Sequence, residues 1–210
     1  MKILEKSIIE IGKEICVYLR SIKEIKECKI YGSIVENNID KYSDIDIEID
    51  VSGYDNSIFI KRITDIIDIK FPILYYDYAR SLMPDAYIVT MAISEKNPFL
   101  LLDIKCTAKP HFSTISKEND FMNNKFTHII KLFIANYKHY IRGNDCVNDI
   151  LRMYKNIHST ELNIQEMLIH TYEWLLKNSE EKYITYLKNI NIEEIKFNNM
   201  MTESRKEEIF

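Results

Sequence analysis

Glycine is scarce in this chain, with four among 210 residues. No G-x-x-x-x-G-K-S/T loop can be drawn through them, and the lysine of that loop is missing too, so a Walker-type phosphate cradle is excluded. Positive charge is not in excess either. Twenty-eight Lys and Arg stand against 32 Asp and Glu, for a formal net charge of −4. Broad nucleic-acid binding needs a basic face, so nucleic acid is disfavoured as a partner, and a small cationic molecule is compatible with the balance. The five histidines, His111, His128, His139, His158 and His170, contain no H-E-x-x-H pair and read as surface or core residues. The four cysteines, Cys16, Cys28, Cys106 and Cys146, contain no C-x-x-C pair. Their apolar surroundings read as buried thiols of a reducing cytoplasm. A long apolar run is also lacking. The opening MKILEKSIIEIGKE has charges at regular intervals and reads as neither signal peptide nor membrane span, so no membrane partner is expected. There is no internal repeat and no low-complexity segment.

What is present is enough apolar residue for a core, 46% of the chain. Its periodicity changes along the length. Leu4, Ile8, Ile11, Ile15, Leu19 and Ile22 recur at helical spacing, which predicts an amphipathic helix over 2–24. CKIYGS reads as a strand ending in a turn, and 34–38 as a short helix or loop. SDIDIEIDV alternates strictly and predicts a strand. A helix is predicted over 57–68, then short strands at FPILYYD, AYIVTMAI and FLLLDIKC, the last two joined by the polar turn SEKNP. After a loop near TAKPHFSTISKEND the pattern becomes helical throughout: 121–142, a stop at Gly143, 145–157, a cap signal in STEL ahead of NIQEMLIHTYEWLLKN, then 179–189 and 192–208. This is an α+β chain, a mixed sheet with flanking helices followed by a C-terminal helical bundle. The domain boundary is placed near residue 118, giving 1–118 and 119–210.

The chemistry concentrates in IYGSIVENNIDKYSDIDIEID, residues 30–50. Ten residues separate the turn Gly32-Ser33 from Asp44-Ile45-Asp46. In a strand, Asp44, Asp46, Glu48 and Asp50 share one face and Ile45, Ile47 and Ile49 the other. The plain reading is a half-buried strand with a solvated acidic face and an ordinary tight turn. Four like charges in a row repel, however, and a divalent cation compensates them. Carboxylates suit magnesium, which takes its remaining ligands from water and substrate phosphates. Gly32 lets backbone approach a phosphate, and the amides there with the Ser33 hydroxyl can hold its oxygens. Glu48 and Asp50 are read as solvated or lysine-paired. A pair of ions needs a third acid. Asp103, inside the apolar strand FLLLDIKC, is costly if buried alone. It serves as shared ligand, as general base, or as an ion-pair partner of Lys105. Lys105 and Lys41 are candidate phosphate contacts.

The run Tyr31-Gly32-Ser33, nine residues, then Ser43-Asp44-Ile45-Asp46-Ile47 resembles the signature of the polymerase-β-like nucleotidyltransferase superfamily. Its sheet would then be nucleotidyltransferase-like. Within that superfamily the chain looks most like the small bacterial antibiotic nucleotidyltransferases, especially the aminoglycoside adenylyltransferases, which join a catalytic α/β domain to a helical substrate-binding one. The resemblance implies transfer of AMP from ATP to a hydroxyl of a small, cationic antibiotic with release of pyrophosphate. Gly32 and Ser33 would contact the triphosphate, and Asp44, Asp46 and Asp103 would bind magnesium, two ions in all. In the helical half, Asp145, Asp149, Glu161 and Glu166 are candidate contacts for amino groups, with Glu166 also a candidate base. Tyr76, Asp77 and Arg80 are candidates for the nucleotide pocket. The motif departs from the family at Asn37-Asn38, where many relatives have a glycine-containing stretch. The other readings are an acceptor of a different kind (a lincosamide, RNA or protein) and a non-catalytic nucleotidyltransferase-like partner in a toxin–antitoxin pair. A cytoplasmic location and a homodimer are also expected.

Overall fold

The computed structural model describes residues 7–111, 114, 115, 117–160 and 162–195. Internal contacts divide the chain into two units, Met1–Glu95 with Phe99–Asn124, and Lys96–Pro98 with Lys125–Phe210.

The first unit opens with α1, Ile8–Arg20. Ser7 caps it reciprocally: its hydroxyl accepts from the Glu10 amide, and the Glu10 carboxylate accepts from the Ser7 amide at 2.7 Å. The predicted helix over 2–24 is therefore shorter at its C-terminal end, and its first residues lie outside the described ones. There follow β1 (Glu27–Tyr31), a 3-10 turn (Gly32–Ile34), β2 (Ile45–Asp50), α2 (Asn56–Asp68), β3 (Tyr75–Tyr78), a 3-10 turn (Arg80–Leu82), β4 (Tyr87–Ala92), β5 (Leu101–Thr107) and the single turn α3 (Lys117–Asp120). The five strands form one mixed sheet of order β1-β2-β5-β4-β3. Only β2 and β5 run parallel.

The sheet has two unlike faces, because every strand alternates. The row Ile30, Ile47, Ile104, Val89 and Tyr78 crosses all five strands and belongs to the core packed with Ile15 and Leu19 of α1 and Phe59, Ile60, Ile63 and Ile67 of α2. Ile45, Ile47 and Ile49 are fully buried there, worth roughly 1.5–3 kcal/mol each against exposure. That burial sets the register, since a slip of one residue would bury Asp46 and Glu48 instead. Side chains meet both outer strands. Arg20 donates from Nε and Nη2 to the Cys28 carbonyl on β1, at 3.2 and 2.7 Å. Asn123 receives the Tyr78 amide at 2.8 Å and donates to the Tyr78 carbonyl at 2.9 Å on β3. Blunted edges of this kind resist pairing with another chain.

The second unit contains α4 (Lys125–Ile141), α5 (Val147–Tyr154), α6 (Ile164–Lys177) and α7 (Glu181–Lys188). Phe133, Tyr137, Ile150, Met153, Leu168, Leu175 and Tyr186 are buried. The Tyr186 hydroxyl donates to the Pro98 carbonyl at 2.7 Å. Helix α4 starts four residues later than predicted, since 121–124 lie in the first unit, where Asn123 is bonded to β3. Gly143 follows α4 at φ +72°, the left-handed stop its sequence position suggested. The cap of α6 is Asn163 rather than a residue of STEL. Most of the helix predicted over 192–208 lies outside the described residues. The architecture is thus a five-stranded mixed α/β sheet flanked by helices, followed in the chain by a helical bundle. Among the described residues no helix is long and apolar enough to cross a membrane.

Candidate active site

The second face of the sheet carries the polar groups. Tyr31 on β1 is opposite Asp46 on β2, Asp46 is opposite Asp103 on β5, Asp103 is opposite Thr90 on β4, and Thr90 is opposite Asp77 on β3. Residues paired directly across strands share a face, so these five make one polar row across the whole sheet. Thr90 is 4% exposed and Asp77 is fully buried. The two acids that the sequence spaced 57 positions apart therefore stand side by side on neighbouring parallel strands.

The turn after β1 closes on this row. Gly32 has φ +67°, and a Cβ built on it would lie 2.3 Å from Asp46 Oδ2. Only glycine allows both the left-handed backbone and the approach of the carboxylate. The Gly32 carbonyl accepts from the amides of Val35 and Glu36 at 3.0 and 3.1 Å, which tightens the turn. Ser33 Oγ is buried and has no hydrogen-bond partner among the described residues. Asn37 takes φ +56°. Asparagine tolerates the left-handed region better than most side chains, so Asn37 takes a backbone conformation that glycine would otherwise supply.

Asp44 is half-buried and stands just before β2, outside the ladder. Its approach is held by Asp40, which sequence reasoning passed over. The Asp40 carboxylate accepts from the Tyr42 amide at 2.9 Å and the Ser43 hydroxyl at 3.0 Å, while the Asp40 amide donates to Ser43 Oγ at 2.9 Å. The signal was available: an Asp three residues before a Ser is a local turn pattern.

Both candidate lysines meet neighbouring side chains. Lys105 pairs with Glu48 at 3.7 Å, its direct neighbour in register, and not with Asp103, which lies two residues earlier on β5. Lys41 lies over the Tyr42 ring at 4.8 Å. Asp50 accepts from the Ser52 amide and hydroxyl at 2.8 and 2.5 Å. Farther along the same face, Glu27, Lys29, Glu48, Asp50, Thr107 and Lys109 line a hollow of about 150 Å³. Its volume is below the range of nucleotide-sized pockets. Tyr76 alternates to the face opposite Asp77. In the helical unit the Glu166 carboxylate accepts from the Asn163 amide at 3.2 Å, completing the capping box of α6. Asp149 meets Arg152 at 3.5 Å, and Asp145 accepts from the Val147 amide at 3.3 Å. Glu161 lies outside the described residues.

Negative charge gathers at the row, and Tyr31 reports it. Burial, then the charges of Asp46, Asp103 and Glu48, push its phenol up to about 12. A raised phenol stabilises the fold fully below its ordinary value near 10, and that contribution is lost as pH rises from there through about 12. We expect Asp103→Asn to bring the Tyr31 titration back towards 10 by removing one of these charges. Tyrosine ring carbon shifts against pH, assigned with Tyr31→Phe, measure it, and an unmoved titration in D103N would contradict the stacking of charge on this row.

Among the described residues no group of three or more His, Cys, Asp or Glu side chains is gathered to hold a metal ion. The three acids are thus not a preassembled three-ligand cage. The donors present still fit magnesium, which needs only one or two carboxylates when substrate phosphates supply the rest. Asp46 and Asp103 offer hard oxygens side by side, and the buried Ser33 hydroxyl and the Gly32 approach lie at the same end of the sheet. Comparisons with family models, curated proteins and solved structures found no match to this chain.

Proposed function

We propose that the chain is a magnesium-dependent nucleotidyltransferase that moves a nucleoside monophosphate, AMP from ATP, to a hydroxyl of a small molecule. The observation that carries this reading is the juxtaposition of Asp46 with Asp103 in register on parallel strands, with the Gly32 turn pressed against Asp46 Oδ2. A solvated acidic strand does not need a second acid on its neighbour, since like charges directly opposite cost about 0.2–1 kcal/mol. Nor does an ordinary turn need to meet a carboxylate.

In this reading Gly32 and Ser33 bind the triphosphate, the backbone by close approach and Ser33 Oγ as the hydrogen-bonding group that burial has kept from water. Asp46 and Asp103, with Asp44 two residues before Asp46, would hold magnesium, and that ion would neutralise phosphate charge and acidify the acceptor hydroxyl. The Gly32–Ser33 turn aligns the α-phosphorus with that hydroxyl, so most of the acceleration comes from placement and charge. Tyr31 is neutral at physiological pH, as any ordinary phenol is, and its raised phenol, opposite Asp46 in register, is suited to donate a hydrogen bond and not to act as a base. The acceptor class, a cationic aminoglycoside, rests on the resemblance of the Gly-Ser and Asp-x-Asp motif and on the net charge of −4.

The test is pyrophosphate release from ATP, GTP, CTP and UTP with magnesium, against panels of aminoglycosides and lincosamides. Release that needs both magnesium and one acceptor, with a product heavier by one nucleoside monophosphate, is the expected result. Absence of nucleotide binding at millimolar magnesium would overturn the reading. Tight binding without turnover on any acceptor would instead favour the non-catalytic form of the fold.

A further inference from the structure

Away from the polar row, two thiols meet. Cys16 on the inner face of α1 is 4% exposed and Cys28 on β1 is 1% exposed. Their Sγ atoms are 3.0 Å apart, and all four cysteines are free thiols. In the sequence Cys16 and Cys28 are 12 positions apart, form no C-x-x-C pair and read only as buried thiols. Packing of α1 on β1 brings them together.

Arg20 lies one turn beyond Cys16 and is bonded to the Cys28 carbonyl, so a fixed positive charge stands at the pair. Contact with the Cys28 thiol lowers the Cys16 thiol below its ordinary value. Burial opposes this and the Arg20 guanidinium assists it. Contact with Cys16, and then burial, pushes the Cys28 thiol up. One member of the pair is thus disposed as nucleophile and the other as proton holder. Neither of the other thiols has this setting. Cys106 is pushed up by burial and lies across Ile49 from Cys28 in the ladder, two strands away, about 10 Å by strand spacing and beyond disulfide reach. Cys146 belongs to the helical unit.

We propose that Cys16 and Cys28 are an oxidisable dithiol that forms an intramolecular disulfide between α1 and β1 on meeting a hydroperoxide. The Cys16 thiolate attacks a peroxide oxygen. The O–O bond breaks, the alcohol or water leaves with a proton, and Cys16 becomes a sulfenic acid. The Cys28 sulfur then attacks the Cys16 sulfur, the S–S bond forms, the S–O bond breaks, and water leaves with the Cys28 proton. In sum, two thiols and one hydroperoxide give one disulfide, one alcohol (water when the oxidant is hydrogen peroxide) and one water. The second step outruns further oxidation because the two sulfurs are already in contact. The disulfide would tie α1 to the strand that runs through Tyr31 into the Gly32 turn, and it is independent of the proposed transferase activity.

The experiment uses the full chain. Reduced protein is treated with a small excess of hydrogen peroxide, denatured in N-ethylmaleimide, and read by intact mass and by peptide mapping without reductant. Expected are the loss of two alkylatable thiols, a linked peptide joining Cys16 and Cys28, and full return of both thiols with dithiothreitol. Cys106→Ser with Cys146→Ser should keep the link, and Cys16→Ser should abolish it. Should Cys16→Ser fail to fold, the wild-type peptide map alone decides. Four alkylatable thiols after treatment, oxygen added to Cys16 without a link, or a link to Cys106, Cys146 or a second chain would each overturn the proposal.

Discussion

Asp46→Asn is expected to lower nucleotide transfer by at least about 10³-fold while leaving the sheet folded. The asparagine has the shape of the aspartate, and the position is only half-buried, so neither cavity nor overpacking results. What changes is charge. Asp46 faces Asp103 across the parallel pair and Tyr31 across the antiparallel one. Removing one of two facing like charges should stabilise the metal-free protein slightly, by about 0.2–1 kcal/mol. Magnesium is expected to raise the melting temperature of the wild type, because an ion bound only by the folded state stabilises it by mass action, and the same change should abolish that rise. The two effects have opposite signs, which separates a ligand role from general damage. Pyrophosphate release, thermal melts with and without magnesium, and far-ultraviolet circular dichroism measure all three quantities. A D46N protein that keeps wild-type turnover would sink the metal assignment.

Gly32→Ala should be the more damaging change to the protein as a whole. Its backbone is at φ +67°, where an L-residue costs roughly 1–2 kcal/mol. The added methyl would also sit 2.3 Å from Asp46 Oδ2, and something must move. Either the turn opens, withdrawing Ser33, or the carboxylate swings away from Asp103. Both outcomes strike the candidate site, so activity should fall further than the stability loss alone explains. Urea unfolding gives the first quantity, and kcat with the KM for nucleotide gives the second. A variant destabilised by the expected amount but unchanged in both kinetic constants would mean that the turn has no contact with nucleotide.

The contrast between these two positions shows what could be read from residue order. The alternation in Ile45–Asp50 announced a strand with one acidic and one apolar face, because a period of two follows from backbone geometry whatever the surroundings. The spacing of Gly32-Ser33 to Asp44-x-Asp46 announced a turn and an acid pair for the same local reason. Helix ends were less legible. Asn163 displaced STEL as the cap of α6, and α4 began at Lys125 and not at 121. Caps depend on which of several eligible side chains the chain path lets turn back, and Asn123 was claimed by β3. The partners of charges were not legible. Lys105 could meet Asp103 or Glu48, and the parallel register gave it Glu48. The Cys16–Cys28 contact was invisible for the same cause, being made by a helix lying against a strand.

Local order by itself therefore determined the elements, the acidic face, the Gly-Ser turn and the change from mixed to helical chain, all of which depend on neighbours within a few residues. Tertiary structure alone decided that β5 lies beside β2 in parallel, which puts Asp103 against Asp46, aligns Thr90 and Asp77 with them, and sets Gly32 upon a carboxylate. Strand order and register are chosen by burying the isoleucine face under α1 and α2, a sum over residues far apart in the chain, and the polar row on the opposite face takes its arrangement from that choice.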